Sequence, residues 1–277
     1  MQSSIIPQQI FTGISSLDLI NTDLSDNYEK LRRNNPEWSH EIFTNEMQEC
    51  FIRDNFGKEI FNAYLSINRR YGSARNDLFK YCLIFLKGGI WLDAKSTCEK
   101  PFSQIILPTD RFLLSYWPNL TTGPVNELFW ADRCKIACPE FINWMIISEA
   151  KHVFLESVIS QVVKNIQTYN PIRHGIAEQA VLGTTGPLVY TNAIFNKLSV
   201  GKFRMIEAHN EEIHYSIFQG MEHREIIKSK YHGRVIPLVS RGLFIDSGII
   251  FALARMLLLR FRRKSLKFFD LFRENAK

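Results

Sequence analysis

Apolar positions along the 277-residue chain fall into short runs with strand-like or helix-like spacing. Residues 5–11 are short and apolar and predict a first strand. Residues 17–27 are polar and predict a loop leading into a helix through Leu31, which Asn34-Asn35-Pro36 breaks. Residues 38–43 alternate imperfectly and predict a second strand. Thr44 stands where an N-cap belongs, ahead of Met47, Cys50, Phe51 and Phe56 at helical spacing. A further helix follows through Phe61, Tyr64, Leu65 and Ile67. Residues 76–87 place Leu78, Tyr81, Cys82, Phe85 and Leu86 on one face of a half-buried helix, and Gly88-Gly89 stands at its C-cap. Ile90-Trp91-Leu92 then predicts a short buried strand that runs straight into Asp93.

Beyond that point residues 111–116 predict a strand, and residues 141–150 and 153–166 predict helices. Residues 183–187 predict a loop before a helix starting near Thr191. Alternation of helices with short strands implies an α/β fold with a mixed sheet. A soft boundary near Val239 divides a main domain, 1–240, from an extension, 241–277. In the extension Ile250, Leu253, Leu257, Phe261, Phe268 and Phe272 share one helical stripe, with Arg255, Arg262, Arg263, Lys267 and Arg273 away from it. This predicts an amphipathic helical tail.

Charge sharpens this division. The net charge is +6, and the eight Lys/Arg from Arg255 onward, set against Asp270 and Glu274, account for all of it. The tail is therefore expected to lie on an anionic membrane surface through residues 248–277, or to pack on the main domain or on a second copy. Its apolar run is too short to span a bilayer. A hydrophobic content of 45% with 22% charged residues excludes general disorder. The opening MQSSIIPQQIF has neither a basic stretch nor a long apolar run, so neither signal peptide nor anchor is expected. Five scattered cysteines, Cys50, Cys82, Cys98, Cys134 and Cys138, read as free thiols in a reducing cytoplasm. Cys134 and Cys138 lack the partners of a zinc site.

Asp93 is the first candidate for chemistry, because it ends a strand and ligands of open α/β sheets bind at the carboxyl edge. Alone it also reads as a turn residue. The string around it is more specific. Residues 74–101, ARNDLFKYCLIFLKGGIWLDAKSTCEKP, resemble the sugar-binding region of the DXD-containing glycosyltransferases of family 32. Asp77, Leu78 and Tyr81 match that family's helix. Gly88, Gly89, Ile90, Leu92 and Asp93 match its turn and strand, and Pro101 its close. Ile6-Pro7 with Asn35-Pro36-Glu37-Trp38, and Thr185-Gly186-Pro187, are weaker echoes.

The resemblance implies a GT-A-like mixed sheet flanked by helices and a retaining transfer of a hexose from a nucleotide-sugar donor to a glycan hydroxyl. Bacterial relatives of this kind build capsule and lipopolysaccharide. It further implies a divalent metal, Mn or Mg, at Asp93 to neutralise the departing diphosphate. Catalytic roles fall on Asp93 and Lys95. Donor contacts fall on Asp77, Arg75, Lys80, Gly88, Gly89 and Gly186, and on Phe11, which with Ile14 stands where the family opens with His and Trp.

Two departures bear on the chemistry. Lys95 replaces the second DXD aspartate, and Lys80 replaces the helix arginine. Either Lys95 turns away and another carboxylate completes a metal site, or its ammonium itself neutralises the diphosphate. A rival reading is a transferase-like module that lost catalysis and now holds glycan or a partner. His174, His209, His214, His223 and His232 lack ligand spacing and read as surface residues. Trp117, Trp130 and Trp144 read as core or as a platform for an acceptor sugar. Nothing points to nucleic acid. The expected place is the cytoplasm, peripheral on the inner face of the cytoplasmic membrane.

Overall fold

The computed structural model describes residues 4–117, 140–218 and 236–240. The tail with its apolar stripe, Cys134, Cys138, Trp130, His223 and His232 lie outside the described residues.

Strands β1 (Gln9–Gly13), β2 (Ser39–Phe43), β3 (Gly89–Leu92), β5 (Phe112–Leu114), β6 (Met145–Ser148) and β7 (Arg204–Met205) form one sheet in the order β2-β1-β3-β6-β5-β7. β1 is parallel to β2 and β3, whereas β6 is antiparallel to both β3 and β5. β4 (Thr97–Cys98) and β8 (Ile213–His214) make a small antiparallel ribbon. Helices α1 (Thr22–Asn34), α2 (Asn45–Asn55), α3 (Lys58–Ser66) and α4 (Gly72–Lys87) occupy the first half. The short α5 (Phe102–Ile105), then α6 (Val153–Gln167), α7 (Pro171–His174), α8 (Ala177–Thr184) and α9 (Pro187–Phe195) follow.

The caps work as local chemistry dictates. The Asn21 side chain accepts from Leu24 N and the Thr44 hydroxyl from Met47 N, each satisfying a helix-start amide. Asn35 ends α1 and is fully buried. Its amide donates to Leu31 O at 2.9 Å and its oxygen accepts from Phe102 N at 2.7 Å, so one side chain joins α1 to α5.

Strand alternation sorts the core into two layers. Ile10, Ile90, Leu92, Met145 and Ile147 face Leu31 and Trp38 on the α1 side. Phe11, Trp91, Ile146 and Leu114 face Phe79, Leu83, Phe154 and Val158 on the α4 and α6 side. Residues 236–240 dock on the second layer. Val239 bridges to Ile67, Leu238 and Val239 are fully buried, and Tyr71 donates to Ile236 O at 2.7 Å.

Several elements differ from the sequence expectation. The first strand lies at Gln9–Gly13 rather than 5–11. The helix expected at 141–150 is instead strand β6. Residues 141–148 are all buried, and a strand buried on both faces is a continuous apolar run that periodicity cannot separate from a buried helix. The loop expected at 183–187 shrinks to Thr185 and Gly186. Gly183 and Thr184 close α8, and α9 begins at Pro187, before Thr191. Pro at the first helical turn is favourable because its missing N–H is unpaired there anyway.

Candidate active site

Asp93 follows β3 directly, and the strand end is pinned on three sides. Thr12 Oγ1 donates to Leu92 O at 2.7 Å, Asp93 N donates to Trp144 O at 2.9 Å, and Ser96 N donates to Asp93 O at 2.7 Å. Alternation puts Asp93 on the same side as Trp91, whose indole N–H donates to Asp93 Oδ1 at 3.0 Å. The second oxygen, Oδ2, has no protein donor among the described residues, and the side chain is 28% exposed. This carboxylate is therefore held in orientation while one oxygen stays open.

The turn at Gly88-Gly89 reverses the chain, so the middle of α4 lies beside the carboxyl end of β3. Asp77, Lys80 and Tyr81, spaced three and four apart, share the helix face turned there. Lys80 Nζ lies 2.8 Å from Asp77 Oδ1 and 3.7 Å from Asp93 Oδ1, with its side chain only 2% exposed. Burial works against its charge, but the carboxylates of Asp77 and Asp93 outweigh that and hold the ammonium above the ordinary lysine range. Asp77 is raised above the usual carboxylate range, chiefly by burial, with Lys80 opposing.

Asp77 Oδ2 accepts from the Thr185 hydroxyl at 3.1 Å, and Asn143 Nδ2 approaches Asp77 Oδ1 at 3.4 Å. Asn143 also donates to the Tyr81 hydroxyl at 2.8 Å, which in turn donates to Thr185 O at 3.0 Å. The network is satisfied throughout, as a buried polar cluster must be to persist. Asn143 is marked by no sequence signal, whereas Thr185 falls in the Thr185-Gly186-Pro187 echo without a role of its own. Their contacts with Asp77 come from the long-range pairing of β6 with β3 and from the α8–α9 corner.

Among the residues expected at the site, Asp77, Lys80 and Asp93 come together. Gly186 sits next to them as the N-cap of α9, although the Thr185 hydroxyl makes the contact. Lys95 is buried, with its ammonium 3.6 Å from the centre of the Tyr215 ring. Ile217 N donates to Lys95 O at 2.8 Å and Ser96 Oγ to Tyr215 O at 2.9 Å, so residues 215–217 strap this turn.

Four of the residues expected as donor contacts have structural partners of their own. Arg75 projects from another face of α4, pairs with Glu49 at 2.9 Å and lies 4.3 Å from the Tyr64 ring centre. Phe11 is core, packed on Phe43 at 6.1 Å. Gly88 and Gly89 lie at the amino end of β3, about 17 and 13 Å from Asp93 at the usual strand rise. Their φ values are +68° and +93°. A Cβ would lie 2.7 Å from Ala150 N at Gly88 and 2.6 Å from Gln9 O at Gly89. Close chain packing and positive φ demand glycine at both positions.

The described residues do not suit a divalent metal. Among the described residues no three of His, Cys, Asp and Glu are grouped to ligate one. Asp77 already holds Lys80, and Asp93 offers a single open oxygen with that ammonium beside it. A dication about 4 Å from an ammonium meets repulsion on the order of 8 kcal/mol at an effective dielectric of about 20.

Residues 21–113 match the family model described as a glycosyltransferase sugar-binding region containing a DXD motif. This span runs from α1 to β5 and includes Asp77, Lys80, Asp93 and Lys95. Among solved structures the chain is similar to one titled PaToxG Glycosyltransferase, with a TM-score of 0.50, 14% identity and coverage of 70% of each chain. The fold is that of a glycosyltransferase. No curated protein matches the chain. The matched region and the fold together support a transferase of glycosyl groups, and the DXD class to which the region is similar typically uses a divalent metal. Among the described residues no helix is long and apolar enough to cross a membrane.

Proposed function

We propose that the chain transfers a hexose from a nucleotide-sugar donor to a glycan hydroxyl, with retention of anomeric configuration, in the synthesis of polysaccharide or lipopolysaccharide. One observation carries this reading. Asp93, at the carboxyl edge of β3 and inside the matched sugar-binding region, is oriented by Trp91 and keeps Oδ2 open. In the transfer the bond from the anomeric carbon to the diphosphate oxygen breaks. The acceptor oxygen bonds to that carbon, and the acceptor's proton passes to the departing diphosphate. Asp93 Oδ2 orients the donor, and the Asp77–Lys80 pair lines the sugar end. The nearby ammonium meets negative charge as it develops on the leaving group, where fixed charge counts most. The basic amphipathic tail, 248–277, supports a place at an anionic membrane surface, where lipid-linked acceptors sit.

A second reading rests on Lys95. A buried lysine under the Tyr215 ring, in place of a carboxylate, suits a module that binds glycan without turnover. Incubation with a panel of nucleoside diphosphate sugars separates the two. Slow release of free sugar and nucleotide supports the transferase, and binding without release supports the module.

A further inference from the structure

We infer that the Lys80 ammonium is the resident cation of this site, joining Asp77 and Asp93 where DXD enzymes call for a divalent metal. The inference rests on the reading of Asp93 as the donor end of the site. Three observations carry it. Lys80 is sealed from solvent and reaches both carboxylates, at 2.8 and 3.7 Å. The oxygens of Asp77 are already taken by Lys80 and by the Thr185 hydroxyl, which leaves Asp93 Oδ2 as the open one. The position two residues beyond Asp93 supplies a second buried ammonium, Lys95, instead of a ligand.

Two carboxylates and one ammonium leave about one negative charge at the core of the site, with a second ammonium two residues along the chain. A divalent cation there would have to displace a side chain buried on all sides. The Lys80 ammonium, already fixed between the two carboxylates, offsets their charge toward a nucleoside diphosphate bound beside Asp93 without reorganisation. Donor nucleotide is therefore expected to bind in the presence of chelator.

The test uses the full chain and Mn²⁺ alone, with free Mn²⁺ followed by electron paramagnetic resonance. Wild type should take up Mn²⁺ only weakly. Lys80→Met, which removes the charge at similar volume, frees both carboxylates and should bind Mn²⁺ at least about tenfold more tightly. Lys80→Arg should behave as wild type. Should Lys80→Met fail to fold, Lys80→Gln is the second neutral variant, since it still hydrogen-bonds Asp77. Wild type binding Mn²⁺ as tightly as a folded neutral variant overturns the inference. In a second arm UDP and GDP are titrated by calorimetry in EDTA and in Mn²⁺. Affinities within about threefold support resident-cation binding, and a tenfold or greater gain with Mn²⁺ overturns it. Failure of both nucleotides to bind in either condition counts against the donor reading, while the Mn²⁺ arm still decides the role of Lys80.

Discussion

Arg75 and Lys80 sit five residues apart on one helix, and both are buried beside a carboxylate, yet the fold gives them different work. Lys80 shares its face with Asp77 and meets Asp93. Arg75 is turned by about 140° at 100° per residue and pairs with Glu49 over Tyr64. Glu49 is partly solvated and has Arg69 nearby, so the loss of Arg75 leaves no isolated buried charge. Arg75→Met should therefore lower stability by about 1–3 kcal/mol, from one charged hydrogen bond and one cation–π contact. Donor affinity of the folded protein should stay unchanged. Urea unfolding and donor titration on the same sample check both parts, and a large loss of donor affinity at unchanged stability would return Arg75 to the donor site.

At the scale of elements, His152 is the N-cap of α6. Its Nδ1 accepts from Phe154 N at 3.2 Å, and its Nε2 meets Lys202 O at 3.0 Å. Burial, opposed by the bond to Lys202 O and by Glu149 and aided by Arg111, lowers its pKa below the ordinary histidine value. The folded state thus favours neutral imidazole. Its contribution to stability is complete above the unfolded pKa near 6.5 and is lost as pH falls through the folded value. His40 and His174 shift in the same direction, so His152 carries part of this acid sensitivity. His152→Asn keeps a capping oxygen and removes the titration. It should flatten the fall of melting temperature between neutral pH and pH 5. An unchanged slope would place the acid sensitivity elsewhere.

The same scale shows what a sequence can display. Thr44, Asn34-Asn35-Pro36 and Gly88-Gly89 are legible because caps and breaks are local chemistry. Asp93 is legible because a short apolar strand ends in it. Strand β6 is not, since burial on both faces erases its period. Asn143 is not legible either, because it meets Asp77 across 66 residues of chain, and Thr185, legible as part of a Thr-Gly-Pro echo, shows its contact with Asp77 only across 108. For Lys80 the residue is legible, but its partner is not: the i,i+3 pair with Asp77 is local, whereas Asp93 arrives only when α4 folds back on β3.

For the whole molecule, the sheet and its flanking helices give a glycosyltransferase fold whose carboxyl edge carries the candidate site. Net positive charge is concentrated after Arg255. If the tail delivers this edge to lipid-linked acceptors, the full chain should float with anionic vesicles at low salt, and a form ending at residue 247 should not. Each basic residue near the surface adds about 1 kcal/mol, reduced by salt. Equal flotation of the two forms would remove the membrane role. The most direct test of the central claim compares donor cleavage by wild type and Asp93→Asn across nucleoside diphosphate sugars, with melting temperature measured alongside. The account predicts cleavage by wild type and a loss of about 100- to 1,000-fold in the variant at nearly unchanged stability, the scale of one preorganised electrostatic group. Activity of Asp93→Asn within a few-fold of wild type would contradict it.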